Sequence, residues 1–193
     1  MKKTPMWGRS NRRKGVQGLY RILLCGDRKD QRLCCFLKKI LLPYGKVLHE
    51  GTCIGEGNRV FCLEECEDWS GKTGKGILVL KKSYRPNGKH SPLPGWIAVL
   101  ESGFRAGICG LQDTGIPAVL CGSASRDTLS ISSWDAPFAS VSILREMAAL
   151  DGEVVEPGEV LVKMSEHVSR GEMLKACAVL LLCGVPYGQG YFL

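Results

Sequence analysis

Apolar residues in this chain come in short runs whose period changes from place to place. Leu19–Cys25 is a compact apolar run closed at once by Gly26-Asp27, the mark of a short buried strand. In the next stretch Leu33, Phe36, Leu37, Ile40 and Leu41 recur at helical spacing, with Arg32, Lys38 and Lys39 on other faces. Asp27 or Asp30 can cap this helix, and Pro43 and Gly45 end it. A second strand is expected in Lys46–Thr52. Strand, helix and strand joined by short links predict a βαβ unit and a parallel sheet.

Further on, Arg59–Glu65 and Gly76–Lys82 read as strands, and Ser83–Gly95, with three prolines and Asn87-Gly88, as a loop. Trp96–Ser102 and Ile116–Gly122 are short, apolar and β-rich, as central strands are, with a short helix expected between them at Phe104–Leu111. Period-two alternation then predicts strands at Thr128–Trp134 and Phe138–Leu144, and a third is read at Gly158–Met164. A last helix is expected over Arg170–Cys183, with Met173, Leu174, Cys177, Ala178 and Leu181 on one stripe and Gly184 as its stop. The fold class expected is therefore α/β: a mainly parallel Rossmann-like or P-loop-like sheet with helices. A smaller antiparallel section follows at about 124–165, and residues 19–193 form one domain.

Composition changes this picture little. Of 193 residues, 45% are hydrophobic and 23% charged, the balance of a globular chain. The net charge of +7 raises the question of nucleic acid. Lys2, Lys3, Arg9, Arg12, Arg13 and Lys14, however, place nearly all of that excess in residues 1–18, leaving a near-neutral body. A basic footprint for a polyanion belongs on a folded face, so a solvated, disordered tail is expected and nucleic-acid binding through it is the lesser alternative. The richest apolar run, Ala176–Cys183, is far too short to span a membrane. Leu19–Cys25 is broken by Arg21 and lacks a small-residue cleavage site, so no export signal is read and a cytoplasmic location is expected. The ten cysteines then read as reduced thiols.

Candidate chemistry gathers at strand ends. The first strand-to-helix turn, Cys25–Arg32, is where a helix N-terminus could hold a phosphate. It has one glycine, and Asp27 and Asp30 suit the helix dipole while repelling an anion, with Arg28 and Lys29 a partial offset. Gly71-Lys72-Thr73 resembles half a P-loop, but Cys66 stands where the first glycine is needed, and a strand rather than a helix follows. His49, Cys53, Cys62 and Cys66 are chemically a zinc set, yet their spacings split them across strand faces; buried thiols are the reading adopted and no metal or cofactor is expected. The vicinal Cys34-Cys35 pair points two ways from one helix. Gly122, Ser123, Ser125 and Asp127 follow a strand and offer either a site or ordinary turn chemistry. No spacing brings His49, His90 or His167 beside them.

Two regions together resemble the central domain of the Mur ligases, the ATP-dependent enzymes that add amino acids to the peptidoglycan precursor. Leu23–Thr52 repeats that family's order of strand, loop, helix and a strand ending in Gly51-Thr52; Ile116–Ser133 and Ser165–Val185 are similar to its later strands and final helix. The family's phosphate-loop lysine and threonine are replaced by Gly26-Asp27-Arg28-Lys29-Asp30, and Val168 stands in place of its asparagine. Its flanking domains have no room in 193 residues. The resemblance thus implies a non-catalytic or regulatory domain that has lost ATP hydrolysis. A small-molecule or nucleotide-like ligand would bind at Gly26, Asp27, Arg28 and Lys29 together with Gly122, Ser123, Ser125 and Asp127. The alternative is an enzyme acting on a small phosphorylated or nucleotide-like substrate through Ser123, Ser125 and Asp127 with Arg28. A protein partner or homo-oligomer is left open; a membrane is not expected.

Overall fold

The structure, a computed structural model, describes residues 18–88, 90–164 and 168–193. The expected basic tail and His167 lie outside them, apart from Gly18. The elements are β1 (Gly18–Cys25), α1 (Arg32–Leu41), β2 (Lys46–His49), β3 (Thr52–Ile54), β4 (Arg59–Cys66), β5 (Gly76–Leu80), β6 (Trp96–Glu101) and α2 (Arg105–Leu111). They continue with β7 (Ala118–Gly122), β8 (Leu129–Asp135), β9 (Phe138–Ile143), β10 (Met147–Ala148), β11 (Val154–Val155), β12 (Gly158–Lys163), α3 (Arg170–Leu182) and β13 (Tyr191–Phe192).

One sheet of eleven strands runs in the order β13-β12-β9-β8-β7-β6-β5-β1-β4-β2-β3, and β10 pairs with β11 in a separate antiparallel ribbon. From β2 through β4, β1, β5, β6 and β7 to β8 every pairing is parallel. The fold is thus mixed α/β with a large, mostly parallel sheet. The antiparallel pairs β8–β9 and β9–β12 extend that same sheet.

Helices and loops cover both faces, which is why Ile22–Cys25 and the whole of β5 are buried without alternation. Tyr20, Ile22 and Leu24 of β1 face a core shared with α1 and α3, while Leu23 and Cys25 face a second core with Trp69, Tyr84 and Trp96. The last helix departs from the expected single stripe. Every residue from Met173 to Leu182 in α3 is buried, because the sheet lies beneath, α1 alongside, and Met147, Ala149 and Val155 close over the same core. An all-round apolar helix is a buried helix.

Candidate functional site

In an open parallel sheet, ligands collect at the carboxyl ends of strands, at the point where the chain changes the direction in which it builds. Here that point lies between β1 and β5, since the chain adds β4 and β2 on one side and β5, β6 and β7 on the other. The crevice is filled. Lys81, one residue beyond β5, is 1% exposed. Its ammonium donates to the Asp27 carbonyl at 3.1 Å and the Asp30 carbonyl at 2.8 Å, and lies 2.5 Å from Glu65 Oε1.

The turn's own amides are engaged as well. Gly26 N–H donates to Cys66 O (2.9 Å), Asp27 N–H to Ser83 Oγ (3.2 Å), Lys29 N–H to Asp27 Oδ1 (2.8 Å), Asp30 N–H to Asp27 O (3.1 Å) and Gln31 N–H to Lys29 O (3.1 Å). A phosphate cradle needs such amides turned outward; this turn points carbonyls at an ammonium instead. Gly26, at φ +148°, is required here, because a Cβ would lie 2.8 Å from Lys81 Cβ and 2.9 Å from Ser83 Oγ. Asp27, Arg28 and Lys29 are exposed on the rim.

Beside this plug a hollow of about 150 Å³ is lined by Arg32, Lys82, Glu101, Glu172 and Lys175 among others. Glu101 closes β6, 3.1 Å from Lys82 Nζ and 2.9 Å from Lys175 Nζ, against the first turn of α3 at Gly171. Burial pushes the Glu101 carboxyl up, but Lys175 and Lys82 outweigh it and hold it below its ordinary value. Ser169 and Glu172 form a capping box that fixes this helix end.

Glu101 also lines a larger cavity of about 490 Å³, with Gly122, Ser123, Ile131, Ser132, Ser133, Trp134, Arg170 and Gly171. Its origin is topological. β8 pairs with β7 only at Cys121↔Leu129 and Gly122↔Ser130 and then runs on beside β9, so a gap opens past the end of β7. A bulge between Ile131 and Ser133 breaks the strand's alternation. That is how four consecutive residues, Ile131 to Trp134, reach one cavity. The Arg170 guanidinium lies 5.5 Å from the Trp134 ring centre and makes a flat wall.

The two sequence-derived clusters share the carboxyl edge of the sheet but do not meet. Three strand steps separate β1 from β7, roughly 14 Å at about 4.8 Å per step. Gly122 and Ser123 line the larger cavity, whereas Gly26, Asp27, Arg28, Lys29, Ser125 and Asp127 line neither hollow. Asp127 is fully buried in the β7–β8 corner, where Oδ2 accepts from Ala124 N–H at 2.7 Å. Its Oδ1 has no partner among the described residues. Among those residues no hydrogen bond joins the Ser123 or Ser125 hydroxyl to a titratable side chain, although the Ser125 carbonyl accepts from Arg145 Nη2 at 3.4 Å. Sequence reasoning missed Lys81, Glu101, Trp134, Arg170 and Lys175. The one legible signal was Lys175, a lone charge inside an apolar helix.

The cysteines and histidines also sort differently from the spacing argument. Cys53 is exposed, Cys62 half-buried, and Cys66 lies in the opposite core, paired across strands with Cys25. His49 Nε2 lies 3.3 Å from Cys34 Sγ. Cys34 is buried and Cys35 exposed, as helix geometry requires. His90 is stacked on Trp69 and bridges Tyr84 (2.7 Å) and Asp68 (3.1 Å). Lys72 pairs with Glu64 at 2.7 Å in a loop that leads into β5, so no phosphate-binding helix follows it. Among the described residues, no helix is long and apolar enough to cross a membrane.

No protein-family model matches the chain, and no curated protein matches it either.

Proposed function

We propose that this is a non-catalytic or regulatory ligand-binding protein, a Mur-ligase-like domain of Rossmann or P-loop type without a nucleotide-phosphate grip. Its ligand occupies the 490 Å³ cavity beyond β6 and β7. The observation that carries this reading is Lys81. Its ammonium fills the crevice in which a phosphate would sit, and the open volume lies further along the strand ends, past β6 and β7, sharing Glu101 with the small hollow that Lys81 lines. That volume is within the usual range of small-molecule sites, roughly 300–1,000 Å³.

The lining suggests the ligand's chemistry. Trp134 with Arg170 offers a flat surface for a ring, and Ser123, Ser132 and Ser133 and the Glu101 carboxylate offer partners for hydroxyl groups. Glu101 disfavours a phosphate at the cavity floor. A sugar or nucleoside fits these groups best, with any anionic substituent directed towards Arg170 at the rim.

The test is a thermal-shift titration with uridine, UDP-sugars, ATP and pyrophosphate, repeated on Ser133→Trp, which fills the cavity from an exposed strand position. A ligand bound to the folded state alone raises Tm by mass action. The expected result is a saturable rise with a nucleoside or UDP-sugar, none with pyrophosphate, and loss of the rise in Ser133→Trp. A flat response to every sugar and nucleoside, or a rise that survives Ser133→Trp, overturns the reading.

A further inference from the structure

Beneath the first turn of α1, three donors of different chemistry converge from three elements. Phe61 and Leu63 of β4 face the α1 core, and strict alternation brings Glu65 onto the same side two residues later. Val47 and then His49 do the same on neighbouring β2. Cys34, in the first turn of α1, closes over them. Its Sγ, a ring nitrogen of His49 and a carboxylate oxygen of Glu65 all lie within 4.8 Å of one another. None of these residues lines the larger cavity, and the set differs from His49, Cys53, Cys62 and Cys66 in all but His49.

We infer that Cys34, His49 and Glu65 form a binding site for a borderline-soft divalent cation such as zinc. Thiolate, imidazole and carboxylate are the three ligand types zinc takes, and three protein ligands leave a fourth position for water. Tetrahedral zinc, with bonds of about 2.3 Å to sulfur and about 2.0 Å to nitrogen, sets those two atoms roughly 3.6 Å apart. Cys34 Sγ and His49 Nε2 are 3.3 Å apart. The geometry needs a small opening of that edge and an approach by the carboxylate.

Glu65 already accepts from Lys81 and Gln31. A carboxylate offers about four lone-pair positions, so two remain, enough for a metal without releasing Lys81. Lys81 then acts as the fixed partner that orients the ligating carboxylate. As the metal–sulfur bond forms, the thiol proton passes to buffer, and the site goes from neutral imidazole and thiol to metal-bound imidazole and thiolate. Access is through a surface hollow of about 250 Å³ lined by Lys38, His49, Glu50 and Thr52.

The experiment is titration of the reduced, chelator-stripped full chain with Co²⁺ and Zn²⁺, read by calorimetry and by the thiolate-to-cobalt charge-transfer band. One equivalent should bind with that band present. Cys34→Ser should abolish the band, and His49→Gln should weaken binding by roughly tenfold or more. Cys53→Ser and Cys62→Ser should change neither. Absence of binding by the wild-type chain overturns the site, as does a band that persists in Cys34→Ser or disappears in Cys53→Ser or Cys62→Ser. If Cys34→Ser does not fold, His49→Gln decides, and unchanged affinity there overturns the site.

Discussion

Buried lysines are expensive unless every proton on the ammonium finds a partner, and Lys81 meets that condition with two carbonyls and one carboxylate. Removing it leaves Glu65 as a buried charge without its counter-ion. Lys81→Met is therefore expected to cost about 3–5 kcal/mol, measured by urea denaturation. The double change Lys81→Met with Glu65→Leu should recover most of that loss, because an apolar pair of similar volume replaces a desolvated ion pair at little net cost. A double variant no more stable than the single one would show that the two residues do not form one unit. The sequence Leu80-Lys81-Lys82 contains two adjacent lysines, one of which enters the core while the other stays 65% exposed in its side chain. Nothing in the sequence chooses between them, since the choice depends on the phase of β5 and on Glu65 opposite.

At the scale of elements, α3 shows most clearly how tertiary packing overrides a local pattern. A stripe was legible at Met173, Leu174, Cys177, Ala178 and Leu181, and all five are indeed in the core. The positions between them are buried too, and even Lys175 is taken in through Glu101. The helix end is fixed by a device that can be read locally. Ser169 Oγ accepts from Glu172 N–H at 3.2 Å, and Glu172 returns to the Ser169 N–H. Ser169→Ala should lower stability by about 1 kcal/mol in a denaturant melt. Because Arg170 and Gly171 line the larger cavity, the same change should loosen one wall of the proposed site. The β7–β8 corner is the opposite case: Ser and Asp residues announced a turn, but only pairing with β9 and the bulge in β8 made the adjoining strand into a cavity wall.

Over the whole molecule, ionisable groups set a window of pH stability with two distinct edges. Glu64, Asp30, Asp68 and Glu101 are each held below their ordinary values. Lys72 and Arg21 outweigh burial at Glu64. Arg32 with Ser83 does so at Asp30, Ser70 with His90 at Asp68, and Lys175 with Lys82 at Glu101. Folded values below unfolded ones mean that their contribution is present above about 4.5 and is lost as pH falls through the folded values. Four of the buried thiols act at the other edge. Burial pushes Cys34 up to about 11 and Cys177 to about 12, with Cys121 and Cys183 raised as well. Their contribution is complete below the ordinary thiol value of 9.0 and is lost as pH rises towards the folded values. Unfolding free energy measured against pH in reducing buffer should therefore be flat between about 5 and 8.5 and fall on both sides. A steady slope across neutral pH would contradict this assignment.

By itself the sequence determined what depends on short range. Its apolar periods located β1, α1, the central strands, the C-terminal helix and the turns between them, and it showed that the first strand-to-helix turn carries Asp27 and Asp30 where a phosphate loop would carry a lysine and a threonine. The tertiary structure alone decided what depends on neighbours distant in the chain. It set β4 between β1 and β2, joined the antiparallel strands to the parallel sheet, and drove Lys81 into the crevice beside β1. It also separated the two expected ligand clusters by three strand steps and brought Cys34, His49 and Glu65 together instead of the cysteines with regular spacing. The physical reason is the same throughout: period and turn chemistry act within about one turn or strand, whereas register, the pairing of buried charges and the position of a cavity follow from which strand lies beside which.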